Sequence, residues 1–335
     1  MCAALAIATI GLVSCSEGAD PGGSTGGEVD ASIDEARALF DGIGVDDPFC
    51  SAAVLQGDGV VFAEAFGSVE GEPVTTETDV DIASVSKQFT GVAVELLIDR
   101  GDLSGSDLVG ELVPASSPAT DDVTVDDLLT HISGLPDYTD LLPEEYDEPT
   151  TQRQAITAIA QSEPTEAQGS FAYSNSNYVL LAEVVESVTG TSFTEFLEAE
   201  VFAPLDLDMG IELPGPWKQV GDGSIWTTPT ELVWWSSQYW DQTLEGPDLA
   251  TVMFDPEVNA SEDGDENDDT YGSGIMRGTN DDGTEWLYHD GSWDRYETDW
   301  ALIPEERLAA AVTCDLDADL NSEEAARDLV ELWRS

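Results

Sequence analysis

Strand-like segments stand at both ends of this chain, and the long middle reads as helix. That order constrains the fold more than any other feature. Near the N-terminal end, Phe49 to Leu55 and Val60 to Phe66 are joined by Gln56-Gly57-Asp58-Gly59, a hairpin signal. Near the C-terminal end, Tyr271 to Gly278, Glu285 to His289, Thr298 to Ile303 and Leu308 to Cys314 are β-rich. Pro304 has no amide proton for a ladder and stops the third of these. Helical spacing is found from Ser84 to Arg100, Thr124 to Leu129, Gln152 to Gln161, Tyr178 to Val188 and Phe193 to Phe202. A short amphipathic helix, Ser32 to Phe40, precedes the first strand, and a helix from Ser322 to Trp333 closes the chain. The predicted architecture is α+β. One antiparallel sheet is built from both termini and flanked by helices, with a mostly helical subdomain inserted.

The charge balance excludes whole classes of partner. Ten basic residues against 70 acidic ones give a net charge of −60 over 335 residues. Nucleic acid binding needs clustered Lys and Arg, so it is excluded. The folded domain is equally unsuited to an anionic membrane surface. The acid is spread along the chain and interleaved with apolar periodic segments and nine tryptophans, so the chain is not disordered. A solvated acidic shell suited to high salt is the better reading.

Chemistry concentrates in Asp81-Ile-Ala-Ser-Val-Ser-Lys-Gln-Phe-Thr90. Phe89, Val92, Ala93, Leu96 and Leu97 recur at helical spacing behind it, which places Ser84 at a helix start and Lys87 one turn on, on the same face. A serine hydroxyl becomes a nucleophile when a neighbouring base takes its proton, and helix N-terminal amides favour an oxyanion. The chain has only two lysines, Lys87 and Lys218, and one of them is beside this serine. Read alone, the pair also fits a helix cap with a surface charge.

Two later stretches change that weighting: Tyr173-Ser174-Asn175 and His289-Asp290-Gly291. In this order the three resemble the motifs of the serine beta-lactamase and penicillin-binding-protein superfamily, in particular its branch of class C beta-lactamases, D,D-carboxypeptidases, D-aminopeptidases and esterases. Thr130-His-Ile-Ser-Gly-Leu-Pro136, the segment from Asn177 to Met209, and Gly221 to Trp234 resemble the same superfamily, over residues 35 to 330 in all. The resemblance implies that Ser84 attacks a carbonyl and that Lys87 and Tyr173 share the removal of its proton. Asn175 would lie near Lys87 and the substrate amide. His289 stands where Lys is more usual and would contact substrate, and Gly291 would let substrate approach the strand edge. The amides of Ser84 and Ser292 would form the oxyanion hole. His131 is read as structural, holding a loop. Arg295 could reach a substrate carboxylate or pair with surface acids, and the second is preferred. Trp234, Trp235 and Trp240 are read as core. The alternating acids of Ser261 to Asp269 lack the order of a calcium loop, so this stretch is read as solvated. No metal set and no cofactor are expected.

The first residues read as a targeting segment. Ala3 to Val13 is apolar and too short to span a bilayer. It ends in Leu12-Val13-Ser14-Cys15, similar to a lipoprotein lipobox with Cys15 as the acylated residue, although no basic residue precedes it. The expected division is residues 1–15 as signal, residues 16–30 as a Gly/Ser/Asp/Glu-rich tether, and residues 31–335 as the hydrolase domain. The membrane would be met only through a lipid at Cys15, on the outer side. Cys50 and Cys314 then remain to pair. In the fold implied by the resemblance the first and last strands are neighbours, which makes a disulfide between them the expectation.

The expected activity is hydrolysis of an amide or ester through a Ser84 acyl-enzyme. D-amino-acid peptides, peptidoglycan stems, β-lactams and small esters are all candidate substrates. An esterase is the nearest rival, and a sensor that holds or acylates a ligand without turnover is the alternative outside enzymes.

Overall fold

The computed structural model describes residues 25–69, 71–142, 149–260, 269–280 and 282–334, with side chains from residue 31 onward. The expected signal, the acylated Cys15 and most of the acidic Ser261 to Asp269 stretch lie outside these residues. The first helix, α1 (Thr25–Leu39), begins earlier than its periodicity predicts. It leads to β1 (Cys50–Gln56) and β2 (Gly59–Phe66), the expected hairpin. Six further strands come from the other end of the chain: β3 (Val258–Asn259), β4 (Thr270–Tyr271), β5 (Met276–Thr279), β6 (Glu285–Trp293), β7 (Tyr296–Ile303) and β8 (Leu308–Asp315). They form one antiparallel sheet of order β3-β4-β5-β6-β7-β8-β1-β2. The first and last long strands are thus neighbours, and both termini build one sheet.

Strand β8 lies between β7 and β1, and every one of its residues is buried. This explains its unbroken Leu-Ala-Ala-Ala-Val run, because a strand covered on both faces has no polar side to show. One face carries Ala52, Val54, Ile303, Ala310 and Val312 against Phe40, just past α1, and Leu329 and Trp333 of the closing helix, Ser322–Trp333. The other carries Ala53, Leu55, Trp300 and Ala311 against the helical region. Cys50 and Cys314 sit directly opposite in the β1–β8 register, with Cα atoms 4.0 Å apart, and their sulfurs are bonded.

Beyond the sheet, α2 (Lys87–Arg100) is the buried axis of the helical region. Every residue from Lys87 to Leu97 is buried, as in a helix covered on all sides. Gly101, at φ +76°, ends it and donates to the carbonyls of Leu97 and Ile98. Around it stand α3 (Val125–Leu129), opened by a Thr124–Asp127 capping box, α4 (Gln152–Ala160) and α5 (Asn175–Thr189). Helix α5 packs on α2, α3 and α4.

Three readings of the sequence need correction. Tyr271 to Gly278 is two strands, because the chain reverses where Gly272 N–H bonds the Ile275 carbonyl. Phe193 to Phe202 is an α-turn that loosens into a wider π-turn from Glu198. Trp235 is core, its Nε1 donating to Gln88 Oε1 at 2.6 Å, but Trp234, the residue before it in the same helix, is 38% exposed.

Candidate active site

Ser84 sits in a 3-10 turn, Ala83–Ser86, that feeds directly into α2. Asp81 shapes this turn by accepting the Ala83 N–H at 2.9 Å. Ala83 is held at φ +48°, a region L-residues with a Cβ rarely adopt, so the turn that presents Ser84 stores local strain. Burial raises the Asp81 carboxyl to about 6 against the pull of its bond to Ala83.

One turn on, Lys87 is fully buried and its Nζ is surrounded by oxygen atoms. Nζ lies 2.8 Å from Ser84 Oγ, 2.8 Å from Asn175 Oδ1 and 2.7 Å from the Asp222 carbonyl oxygen. Asn175 is the first residue of α5, so its side chain leaves the helix start beside Lys87. Its own amide donates to Asp137 Oδ2 at 2.8 Å, which fixes that end of the helix. Tyr173 stands just before, 37% exposed, with Lys87 Nζ over its ring 5.1 Å from the centroid. The structure therefore gathers Ser84, Lys87, Tyr173 and Asn175, four residues spread over 90 positions of sequence.

Two residues of the site went unnoticed in the sequence. Asp222 gives its carbonyl to Lys87, and its Oδ2 accepts the Tyr138 hydroxyl at 2.9 Å. Burial raises the Asp222 carboxyl, while Lys87 and Tyr138 act against that rise. Burial raises the Tyr138 hydroxyl too. A backbone acceptor leaves no mark in residue type, although Asp222 lies inside the Gly221-Asp-Gly turn.

His131 has φ +56° and is buried. Its Nδ1 accepts the Ser174 N–H at 3.1 Å and faces Asn177 Nδ2 at 2.8 Å, which assigns the neutral Nε2–H tautomer. Burial, with Lys87 nearby, holds the ring well below the usual histidine range. The ring stacks on Tyr173 at 4.3 Å. The histidine thus ties the Tyr173 loop to the Thr130 turn, the loop-holding role expected of it.

His289 and Gly291 both make close contacts within the protein. His289 is only 3% exposed and does not line the cavity at Ser84. Its Nδ1 meets the Asp290 carbonyl at 2.5 Å and its Nε2 faces the Tyr271 hydroxyl at 3.2 Å, so both nitrogens are engaged within the protein. Burial lowers its pKa, and a neutral ring suits both bonds. Gly291 has a neighbour that leaves no room for a side chain. A Cβ there would come within 2.6 Å of the Ile82 carbonyl and 2.7 Å of the Ser84 nitrogen. Strand β6 is pressed against the Ser84 turn itself. Ser292, the next residue, lines the Ser84 cavity. Arg295 bonds Asp315 through Nε at 3.0 Å, so it pairs with an acid as expected, but with a buried carboxylate of β8 rather than a surface one.

The cavity at Ser84 has a volume of 140 Å³ and is bordered by Asn175, Tyr138, Asp222, Trp217, Ser292 and Trp293. A serine and a buried lysine in hydrogen-bond contact, with an asparagine and a tyrosine beside them, can support transfer of an acyl group.

Residues 48–332 match the sequence profile of the Beta-lactamase family. Penicillin-binding protein 4* of Bacillus subtilis (strain 168) is 30% identical over 182 residues, 51% of this chain and 40% of its own length. Protein flp of Staphylococcus aureus (strain NCTC 8325 / PS 47) is 27% identical over 274 residues, 72% of this chain and 54% of its own. This chain spans about half the length of those curated relatives. The D-amino acid amidase from Ochrobactrum anthropi SV3, complexed with D-phenylalanine, superposes with a TM-score of 0.74 over 92% of this chain and 98% of that one, at 18% identity. The profile match covers most of the chain and agrees with the fold, so the protein belongs to the Beta-lactamase family.

Proposed function

We propose that the protein is a serine hydrolase that cleaves amide or ester bonds through an acyl-enzyme at Ser84. The observation that carries this is the buried Lys87 Nζ held at 2.8 Å from Ser84 Oγ. Its two other contacts accept protons and cannot give them: Asn175 Oδ1 and the Asp222 carbonyl. A neutral amine keeps both bonds and turns its lone pair to the Ser84 hydroxyl. The geometry therefore favours Lys87 for taking that proton as Oγ attacks. Tyr173, flanking Lys87, is assigned the transfer of the proton to the leaving group. The Ser84 and Ser292 amides stabilise the oxyanion. Water then frees the acyl group by the same path in reverse.

The likeness in fold to a D-amino acid amidase and the relationship to penicillin-binding protein 4* support amides built on D-amino acids as the first substrates to try. Export and a lipid anchor at Cys15 belong to the same proposal, and the Cys50–Cys314 bond suits an oxidising compartment. The test is turnover of p-nitrophenyl esters, D-aminoacyl p-nitroanilides, D-alanyl peptides and a chromogenic cephalosporin. Repeated turnover of any of them supports the hydrolase. Stoichiometric acylation with no release assigns a sensor instead.

A further inference from the structure

A second cavity of 440 Å³ adjoins the one at Ser84, and Trp217, Ser224 and Trp293 border both. Its walls are aromatic. Trp217 and Trp293 meet edge to face at 5.8 Å, and Trp226 and Tyr296 do the same at 5.5 Å. The Leu213–Pro216 turn adds an apolar side. Its charged border is acidic: Asp81, Glu212 and Asp294. The one guanidinium there, Arg295, is bonded to Asp315 through both Nε and Nη2. At Ser84 itself the three Lys87 contacts are protein atoms, and Asp222 adds a further carboxyl.

We propose that this second cavity is a specificity subsite of the Ser84 centre, and that it takes a bulky apolar or aromatic group carrying a positive charge. The inference rests on the hydrolase reading above for the word substrate, and on the cavity alone for the binding. Two physical effects point the same way. Aromatic faces attract cations as well as burying apolar area. Carboxylates at the rim attract the same cation and repel a carboxylate. A group that leaves the scissile carbonyl in the small cavity passes the shared border of Trp217, Ser224 and Trp293 to enter the larger one. A substrate with a free terminal carboxylate near the scissile bond would find no uncommitted cation here among the described residues, so an amine-bearing substrate is favoured over an acidic one.

The probes are phenethylammonium, 2-phenylethanol and phenylacetate, which share one ring and differ in charge. Each is tested as an inhibitor of p-nitrophenyl acetate turnover at one fixed KCl concentration, and separately by tryptophan fluorescence titration. Phenethylammonium should bind about tenfold more tightly than 2-phenylethanol, and phenylacetate least of all. Glu212 and Asp294 are exposed, so a Glu212→Gln/Asp294→Asn double variant should fold. It should bring the phenethylammonium-to-phenylethanol ratio towards unity. Equal binding of all three probes by the wild type overturns the charge assignment, and no binding of any overturns the subsite. An unchanged ratio in the double variant moves the cation elsewhere and also overturns the proposal. If none of the substrates named above is turned over, the hydrolase reading has failed, and the fluorescence titration still decides the subsite.

Discussion

Gly291→Ala tests how closely strand β6 must approach the Ser84 turn. The added Cβ would meet the Ser84 nitrogen at 2.7 Å and the Ile82 carbonyl at 2.6 Å, with the Ala83 Cβ at 3.1 Å. The first two are backbone atoms of a turn already strained at Ala83, so no side chain can swing aside. Reaching an ordinary separation of ~3.5 Å from the Ser84 nitrogen demands a shift of about 0.8 Å between strand and turn. Catalytic constellations tolerate about 0.5 Å. A displacement near 1 Å typically costs ~100-fold in rate, about 2.7 kcal/mol of transition-state stabilisation. The overpacking should cost stability about 1–3 kcal/mol, which leaves most of the protein folded at 25 °C. The assay is kcat/KM for p-nitrophenyl acetate beside a thermal melt. The expected result is a ~100-fold loss of turnover in a protein that still melts cooperatively. Activity within twofold of the wild type would refute the claim that β6 and the Ser84 turn form one rigid unit.

Three further outcomes follow from other parts of the molecule. Replacing Cys50 and Cys314 by Ala opens a loop of sequence separation 264 and should lower stability by about 2–4 kcal/mol in a denaturant titration, whereas an unchanged midpoint would mean that the bond constrains nothing. Asp299 is buried on β7 beneath the Ser322 hydroxyl, and burial, with Asp290, Glu297 and Glu323 nearby, raises its carboxyl to about 7. A raised carboxyl stabilises the fold when protonated, so its contribution is full below about pH 4 and disappears as pH rises through about 7. Asp299→Asn should flatten the wild-type decline over that window by on the order of 2 kcal/mol, read from unfolding free energy against pH, and identical slopes would exclude the assignment. With a net charge of −60, the melting temperature should climb from dilute buffer to molar KCl as the Debye length falls from ~30 to ~3 Å, and a flat or falling midpoint would deny the acidic shell that role.

What could be read in advance was whatever residue type encodes directly. The sheet from both termini was visible because β1, β2, β7 and β8 are runs of apolar and β-branched residues bounded by Gly and Pro. Helix α2 was visible through its spacing and its Gly101 stop, and Ser84, Lys87, Tyr173 and Asn175 through their chemistry and order. Hidden features depend on contacts between distant backbones. The Asp222 carbonyl that receives Lys87 could have belonged to any residue. Tyr138 drew no notice in the sequence, because the Asp222 carboxylate it bonds lies 84 positions away. Gly291 announced a close approach, but not that its neighbour was the Ser84 turn. His289 was picked out by its place in the His289-Asp290-Gly291 motif, but its contact with the Tyr271 hydroxyl, 18 positions away, left no sign in the sequence. The aromatic cavity draws Trp217, Trp226 and Trp293 from separate segments, with no periodicity to link them.

The central claim is that Ser84 becomes covalently acylated with the help of Lys87. The direct measurement is intact-protein mass after reaction with a fluorophosphonate, on the wild type and on Ser84→Ala, Ser86→Ala and Lys87→Ala. Ser86 is a sharp control, because it lies in the same turn but is buried, with its Oγ beside the Ile225 amide at 3.3 Å. The account predicts one adduct on the wild type and on Ser86→Ala, none on Ser84→Ala, and labelling of Lys87→Ala slowed by at least ~100-fold. An adduct on Ser84→Ala at the wild-type rate, or one mapped to Ser86, would contradict it.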